Sequence, residues 1–328
     1  GDSCNVMVYF DPSSAFDFSA NLTITSNDAK SPHSVTLGGK RESINVLNVQ
    51  ITPLKDGECL SNPATVYVSV TDQSGFVVSD LLASDFAVAE NGGEAAPPTT
   101  SGFVPTDGLA SISVALVMDY SGSIIMDEDN VTDMENAAKN FVSQLGSEDQ
   151  AEIIKYATEI EVTQPFTADV KLLNSAIESM PTDIGSNTAL YDAIVQAVED
   201  LSATTTIRRA IIVITDGQDR DGTGNQLSVN GQSDVIDDAV DNGTPVFTVG
   251  LGDADYLDVD GLQTIADQTG GTYSDSTTSS NLANIYQQLA DLLFYGQYVL
   301  TYSSDLAADA SGTLDVTATR GVISGSDT

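Results

Sequence analysis

The chain has 328 residues, 41% of them hydrophobic, which is enough for a large core and excludes a disordered polymer. Its 11 basic residues face 48 acidic ones, a formal net charge of −37, which argues against nucleic acid and against anionic membrane surfaces as partners. No apolar run of about 18 residues occurs, so no membrane-inserted helix is predicted.

The acid surplus has two readings, a solubilising surface or a calcium-rich one. Residue 1 is glycine and no signal peptide is visible, so the chain reads as a processed or excised piece. Cys4 and Cys59 are either a disulfide or two buried thiols; with the single histidine His33 they do not make up a four-ligand zinc site. His33 follows Pro32 in a predicted turn and reads as a surface residue, which speaks against a serine or cysteine triad.

In chain order, Val6, Val8 and Phe10 alternate, then Leu22 and Ile24, then Val35 and Leu37, with turns between them. Strands follow at Ile44 to Ile51, Thr65 to Val70, Phe76 to Val78 and Phe86 to Val88, and 95–102, with Pro97-Pro98, reads as a linker. Alternating short strands at this spacing suggest a β-sandwich. From 108 to 294 the pattern switches to apolar strands (Ile112 to Met118, Ile153 to Ala157, Ile211 to Ile214, Val246 to Val249) separated by helical stripes. One stripe is Val131, Met134, Ala138, Phe141 and Leu145; others are Leu190, Ile194, Ala197 and Leu201, and Leu282, Ile285, Leu289 and Leu292. Strand and helix in alternation predict an α/β fold with a parallel sheet covered on both faces. Tyr298, Leu300 and Tyr302, then Leu314, Val316 and Ala318, return to β alternation.

Two of the buried strands end in aspartate. Val114 to Met118 runs into Asp119-Tyr120-Ser121-Gly122-Ser123, and Ala210 to Ile214 runs into Thr215-Asp216-Gly217. Between them Ser186-Asn187-Thr188 opens a helical stripe. Ligand sites of open α/β sheets lie beyond the carboxyl ends of strands, so the three loops are expected at one edge. Carboxylate and hydroxyl oxygens are hard donors suited to Mg²⁺, Mn²⁺ or Ca²⁺. Only Asp119 and Asp216 are charged, so a divalent ion held by all five side chains is balanced and stays electrophilic. The plain readings are a polar turn at 119–123, a helix cap at Thr188 and a turn at Asp216-Gly217.

Asp119-x-Ser121-x-Ser123, Thr188 and Thr215-Asp216-Gly217 together resemble the metal-ion-dependent adhesion site, MIDAS, of von Willebrand factor type A domains. The resemblance covers roughly 108–294. It implies a doubly wound, mostly parallel sheet and a divalent cation, Mg²⁺ first, with Mn²⁺ or Ca²⁺ as alternatives. The ion's ligands would be Asp119, Ser121, Ser123, Thr188 and Asp216, and its partner a protein presenting Asp or Glu. Asp216 would act through water in that family. Gly1 to Cys4, Phe10 to Pro12 and Leu22 to Asp28 resemble the second half of bacterial immunoglobulin-like domains. Val70 to Gly75, with Leu81 and Asp85-Phe86, resembles segments that precede type A domains in bacterial surface proteins, which implies an extracellular or cell-surface location. The expected division is a partial immunoglobulin-like segment at 1–42, a β-sandwich from both flanks at 43–105 plus 296–328, and the α/β domain at 106–295.

The leading function is a non-enzymatic, metal-dependent adhesion module. A structural spacer with an unused metal site is the alternative. A magnesium-dependent phosphoryl-transfer enzyme ranks lower, since no Gly-x-x-x-x-Gly-Lys loop occurs and Ser121 stands where a paired carboxylate is needed. Three further acidic stretches draw attention. Asp253-x-Asp255-x-x-Asp258-x-Asp260-Gly261 reads as a solvated loop, with Asp260 and Gln263 opening a helix. Asp127-Glu128-Asp129 favours the positive end of the first long helix, and Gln218 to Gly222 reads as the rim of the site.

Overall fold

The computed structural model describes residues 17–25, 31–40, 43–52, 63–73, 75–104, 110–182, 184–206, 208–252, 257–304 and 312–328. The expected strand at Val6 to Phe10, both cysteines and residues 253–256 of the acidic loop lie outside them.

Strands β1 (Asp17–Ile24) and β2 (His33–Lys40) form a two-stranded antiparallel sheet of their own, with His33 exposed. Next come β3 (Asn48–Thr52), β4 (Ala64–Thr71), β5 (Phe86–Glu90) and β6 (Thr100–Val104). The Pro97-Pro98 stretch is not a free linker. Ala96 bridges to Val88, and Thr100 onward is β6. The prolines fall just before that strand, where a missing N–H removes no ladder bond.

The α/β region follows: β7 (Ile112–Asp119), α1 (Gly122–Ile125), α2 (Glu128–Val142), β8 (Gln150–Tyr156), β9 (Ile160–Thr167), α3 (Val170–Glu178), α4 (Leu190–Ser202), β10 (Arg208–Thr215), α5 (Gln232–Asp241), β11 (Val246–Leu251), α6 (Val259–Thr269), β12 (Tyr273–Ser276) and α7 (Leu282–Ala290). Six strands pair in the order β12-β11-β10-β7-β8-β9, parallel except for β9, which runs antiparallel beside β8. β9 has no apolar run to announce it. It is an edge strand with no fully buried residue.

Strand alternation splits the core in two. Ile112, Val114, Leu116 and Met118 of β7, with Ala210, Ile212 and Ile214 of β10, face the helices α2, α3 and α7. Ala115 and Val117, with Ile211 and Val213, face α4, α5 and α6. Both strands are therefore apolar on both faces, which is why they read as continuous runs. Carboxylates cap α2 and α3: Asp127 accepts from Asp129 N at 3.0 Å and Asp169 from Lys171 N at 2.9 Å. At α6 the cap is Asp258, not the Asp260 expected from sequence. Its Oδ1 takes the Gly261 N–H at 3.0 Å, and a Cβ on Gly261 would lie 2.3 Å from that carboxylate. Among the described residues no helix is long and apolar enough to cross a membrane.

α7 ends earlier than its stripe suggests and passes into a π-helical turn, Asp291–Tyr295. Then come β13 (Gln297–Tyr302), β14 (Leu314–Arg320) and β15 (Ile323–Asp327). β13 pairs with both β4 and β6, and β14 with β5 and β15. The resulting sheets, β3-β4-β13-β6 and β15-β14-β5, share one apolar cluster. Val66, Val68, Val70, Tyr298 and Leu300 come from the first sheet, and Phe86, Val88, Val316 and Ala318 from the second. Tyr298 ties the cluster to a loop: its hydroxyl donates to Val78 O at 2.8 Å and accepts from Leu81 N at 2.9 Å. Arg208, buried at the foot of β10, donates to Ala110 O at 2.8 Å and to Leu293 O. One guanidinium thus joins the chain's entry into the α/β region to its exit.

Two outcomes are expected. Tyr298→Phe leaves the Leu81 N–H and Val78 carbonyl without their partner, and urea unfolding should register a loss of about 1–3 kcal/mol. Burial first, then the charge of Asp200, raises the Glu152 carboxyl from 4.5 to about 8. The folded state therefore holds this proton more tightly than the unfolded chain does. The stability it contributes is full below pH 4.5 and lost as pH rises through about 8. Glu152→Gln should melt above wild type at alkaline pH, with the gap closing toward pH 4.5; parallel melting curves across that window would remove Glu152 from the account.

Candidate metal centre

In the sheet order β7 lies between β8 and β10, so chain connections leave it in opposite directions, and a crevice opens at the carboxyl ends of β7 and β10. Asp119 closes β7 there and is fully buried. Its Oδ1 accepts the Ser121 N–H at 2.7 Å, and its Oδ2 accepts the Thr215 hydroxyl at 2.8 Å. The Tyr156 hydroxyl stands 3.4 Å from the same Oδ2 and also donates to Ile214 O at 3.2 Å.

Ser121 is buried and its Oγ lies 3.4 Å from that of Ser123. Ser123 is exposed and donates to Asp216 Oδ1 at 2.9 Å. Ser121 occupies the N-cap position of α1 but makes no side-chain capping bond. Thr188 does not cap α4 either: the N-cap is Ala189. Thr188 is instead held by its backbone, its N–H to Arg220 O at 3.2 Å and its carbonyl to Arg220 N at 3.1 Å. A Cβ built on Gly217 would lie 3.9 Å from Thr188 Oγ1, which places this hydroxyl over the Asp216-Gly217 turn. The structure thus gathers Asp119, Ser121, Ser123 and Asp216 in a chain of contacts, with Thr188 facing them across the turn. Neither hydroxyl is spent on a helix end.

The loop before Thr188 is fixed by Thr158, whose Oγ1 accepts from Ser186 N at 3.1 Å and Asn187 N at 3.0 Å. Gly185 turns there with φ of 81°, and a Cβ at that position would fall 2.3 Å from Thr158 Oγ1, so this turn requires glycine.

Electrostatics set this place apart. Burial, then the charge of Asp216, raises the Asp119 carboxyl from 3.8 to about 6, against the pull of the Ser121 and Thr215 hydrogen bonds. Burial also raises Asp216, while Ser123 and the charge of Arg220 lower it. Two carboxylates held together in partial burial favour a cation between them. Among the described residues no three histidine, cysteine or acidic side chains are placed together to hold a metal ion, and the oxygens that stand beside the two aspartates are hydroxyls. The donor set fits a hard divalent ion. Above it opens a cleft of about 950 Å³, whose lining includes Ser123, Thr188 and Asp216, while Asp119 and Ser121 lie beneath.

The rim is the 217–231 loop, and two acids, the buried Asp219 and the half-buried Asp192, hold its shape. Asp219 accepts from Tyr191 N at 3.0 Å, Leu227 N at 2.8 Å and Ser228 N at 2.9 Å, and from the Ser228 hydroxyl. Asp192 accepts from Val229 N at 3.0 Å and Asn230 N at 2.9 Å. Sequence reasoning placed the 218–222 stretch at the rim but missed Tyr156, Thr158 and Asp192. No local pattern marks a single polar residue whose partners lie tens of positions away.

The family model for the von Willebrand factor type A domain matches residues 113–288, more than half of the chain. Comparison with curated protein sequences finds no match. Among solved structures, proximal thread matrix protein 1 from the mussel byssus, in a form described as having a zinc-occupied MIDAS motif, is similar at 18% identity and a TM-score of 0.51 over 62% of this chain and 50% of that one. Another structure of the same mussel protein matches at 15% identity and a TM-score of 0.50, over 62% and 51%. The conserved hypothetical protein BatB from Bacteroides thetaiotaomicron matches at 21% identity and a TM-score of 0.46, over 56% and 98%. The chain belongs to the von Willebrand factor type A domain family.

Proposed function

We propose that the chain is a non-enzymatic, divalent-cation-dependent adhesion module of a surface or extracellular protein. Asp119, Ser121, Ser123, Thr188 and Asp216 hold the ion as a MIDAS, and a protein partner presents Asp or Glu to it. One observation carries this reading. A buried carboxylate, raised to about 6 by burial and by a second carboxylate, sits among hydroxyls free of capping duty beneath an open cleft. The ion, when bound, supplies an electrophilic position for an incoming carboxylate. The chain's own residues do the rest. Asp119 and Asp216 balance the charge, and the three hydroxyls add oxygen without neutralising it. Tyr156 and Thr215 orient Asp119 from below. Hard oxygen donors favour Mg²⁺, with Mn²⁺ and Ca²⁺ as alternatives. The zinc carried by the mussel protein supports a divalent ion in this fold without choosing it.

The α/β region, in the same reading, is a domain inserted into a β-sandwich built from both flanks. The pairing of β13 with β4 and β6 across the insertion supports this.

Thermal unfolding with EDTA against Mg²⁺, Mn²⁺ and Ca²⁺ is the first test. An ion at a hundred times its Kd stabilises the folded state by about 2.7 kcal/mol, roughly 5–10 °C for a domain of this size. Wild type should gain this and Asp119→Ala should not. Thr188→Val, a milder change at a buried position, should gain less than wild type. No gain with any ion in wild type would favour the spacer reading. The second test concerns rate. With a net charge of −37 the body repels an acidic partner at a distance, and salt screens this over about 8 Å at physiological strength. Association with an acidic partner should therefore quicken as salt rises; slower association at high salt would count against such a partner.

A further inference from the structure

Among the described residues, Arg220 is the one basic residue lining the cleft above Asp216. Its side chain is exposed. Its backbone is locked to Thr188 by two hydrogen bonds of 3.2 and 3.1 Å, so the guanidinium is carried on the residue strapped to a proposed ion ligand. The strap is braced on both sides. Asp219 is buried under it, and Asp221 Oδ1 accepts from Thr223 N at 2.7 Å and Asn225 N at 3.0 Å.

Four carboxylates line the same cleft, those of Asp127, Asp129, Asp216 and Asp221. Several are already engaged elsewhere. Asp127 Oδ1 takes the Asp129 N–H, Asp216 Oδ1 takes the Ser123 hydroxyl, and Asp221 turns back on its own loop. Among the described residues the ion pairs within 4.0 Å are Lys139 with Glu178 and Arg320 with Asp80; Arg220 is in none. An arginine fork offers five donors in a plane that matches a carboxylate; this one acts on Asp216 through its charge and, among the described residues, is in no ion pair.

We propose that Arg220 is a specificity-determining residue which receives a second carboxylate of the partner, beside the one taken by the ion. The site then selects partner segments with two acidic side chains close in sequence over segments with one. This rests on the metal-centre reading above and deepens it. It also gives a strongly acidic protein a way to hold a doubly acidic segment: two cationic points at close range outweigh a repulsion that salt screens at distance.

The test uses the full chain with Mn²⁺ and two kinds of synthetic peptide with blocked ends. One carries a single glutamate among glycines; the other carries a second glutamate one, two or three residues further on. Wild type should bind the best-spaced doubly acidic peptide roughly five-fold more tightly than the singly acidic one, the scale of a partly exposed ion pair. Arg220→Gln should reduce this ratio to about one while keeping the Mn²⁺-induced rise in melting temperature, and Arg220→Lys should keep part of the ratio. The Arg220 Nε–Hε resonance should shift with the doubly acidic peptide and hardly at all with the other. Equal binding of both peptides by wild type, or a preference that survives in Arg220→Gln, would overturn the proposal and leave Arg220 as a counter-charge to the acidic cleft. Loss of Mn²⁺ uptake and of all peptide binding in wild type would instead overturn the metal-centre reading, and this inference with it.

Discussion

A buried carboxylate that cannot be neutralised by its own surroundings is the constraint on which the rest of the α/β region depends. Asp119 has hydrogen-bond donors but, among the described residues, no basic side chain against it; the charge that acts on it is that of Asp216, of the same sign. Hydrogen bonds from Ser121 and Thr215 soften the cost of burial without removing it. An acid kept in this position is costlier to ionise than a free one, and a positive charge brought beside it would lower that cost. Tyr156, buried beside it, brings no positive charge; burial and the same acid push its hydroxyl upward, so it stays a neutral hydrogen-bond donor. The local chemistry is therefore unfinished within the chain itself, which is the physical content of the proposed cation.

The rest of the fold serves to hold that unfinished place still. β7 and β10 are buried on both faces, so neither strand can slip by one residue without exchanging its two apolar sets. Their register, Ile214 opposite Met118, sets Asp216 two residues beyond a partner that immediately precedes Asp119. The third loop is bound to the other two without relying on side-chain packing. Gly122 N bonds Ser186 O at 3.0 Å, and Thr188 exchanges both backbone bonds with Arg220. Three segments distant in sequence are thereby cross-linked by main-chain bonds directly beneath the cleft.

Much of this was legible in the sequence, and for a clear reason. Strands buried on both faces announce themselves as unbroken apolar runs, and β7 and β10 do so just before the two aspartates. The stripes of α2, α4 and α7 are equally plain because each buries one face against the sheet. What stayed hidden is what depends on distant partners. β9 pairs on one side only and mixes polar with apolar residues. β6 looked like a linker because Pro97 and Pro98 sit before it, and only its pairing with β13, nearly two hundred positions on, makes it a strand. The cap of α6 shifted to Asp258 because Gly261 lets that carboxylate approach more closely than any side chain would.

Arg208 adds a mechanical consequence. The α/β region is entered near Ala110 and left near Leu293, and both carbonyls accept from this one buried guanidinium. Burial lowers the Arg208 guanidinium only to about 10, so it remains charged at neutral pH. Ala110 leads straight into β7 and so to Asp119, whereas Leu293 lies in the π-helical turn between α7 and β13. Tension applied through the flanking sheets therefore meets at a charged clamp at the foot of the α/β sheet, the end opposite the cleft. Separating the two ends would strip a buried guanidinium of carbonyls that water cannot readily replace, which costs more than breaking an exposed ion pair. While both bonds hold, the two ends are tied to one guanidinium and to each other.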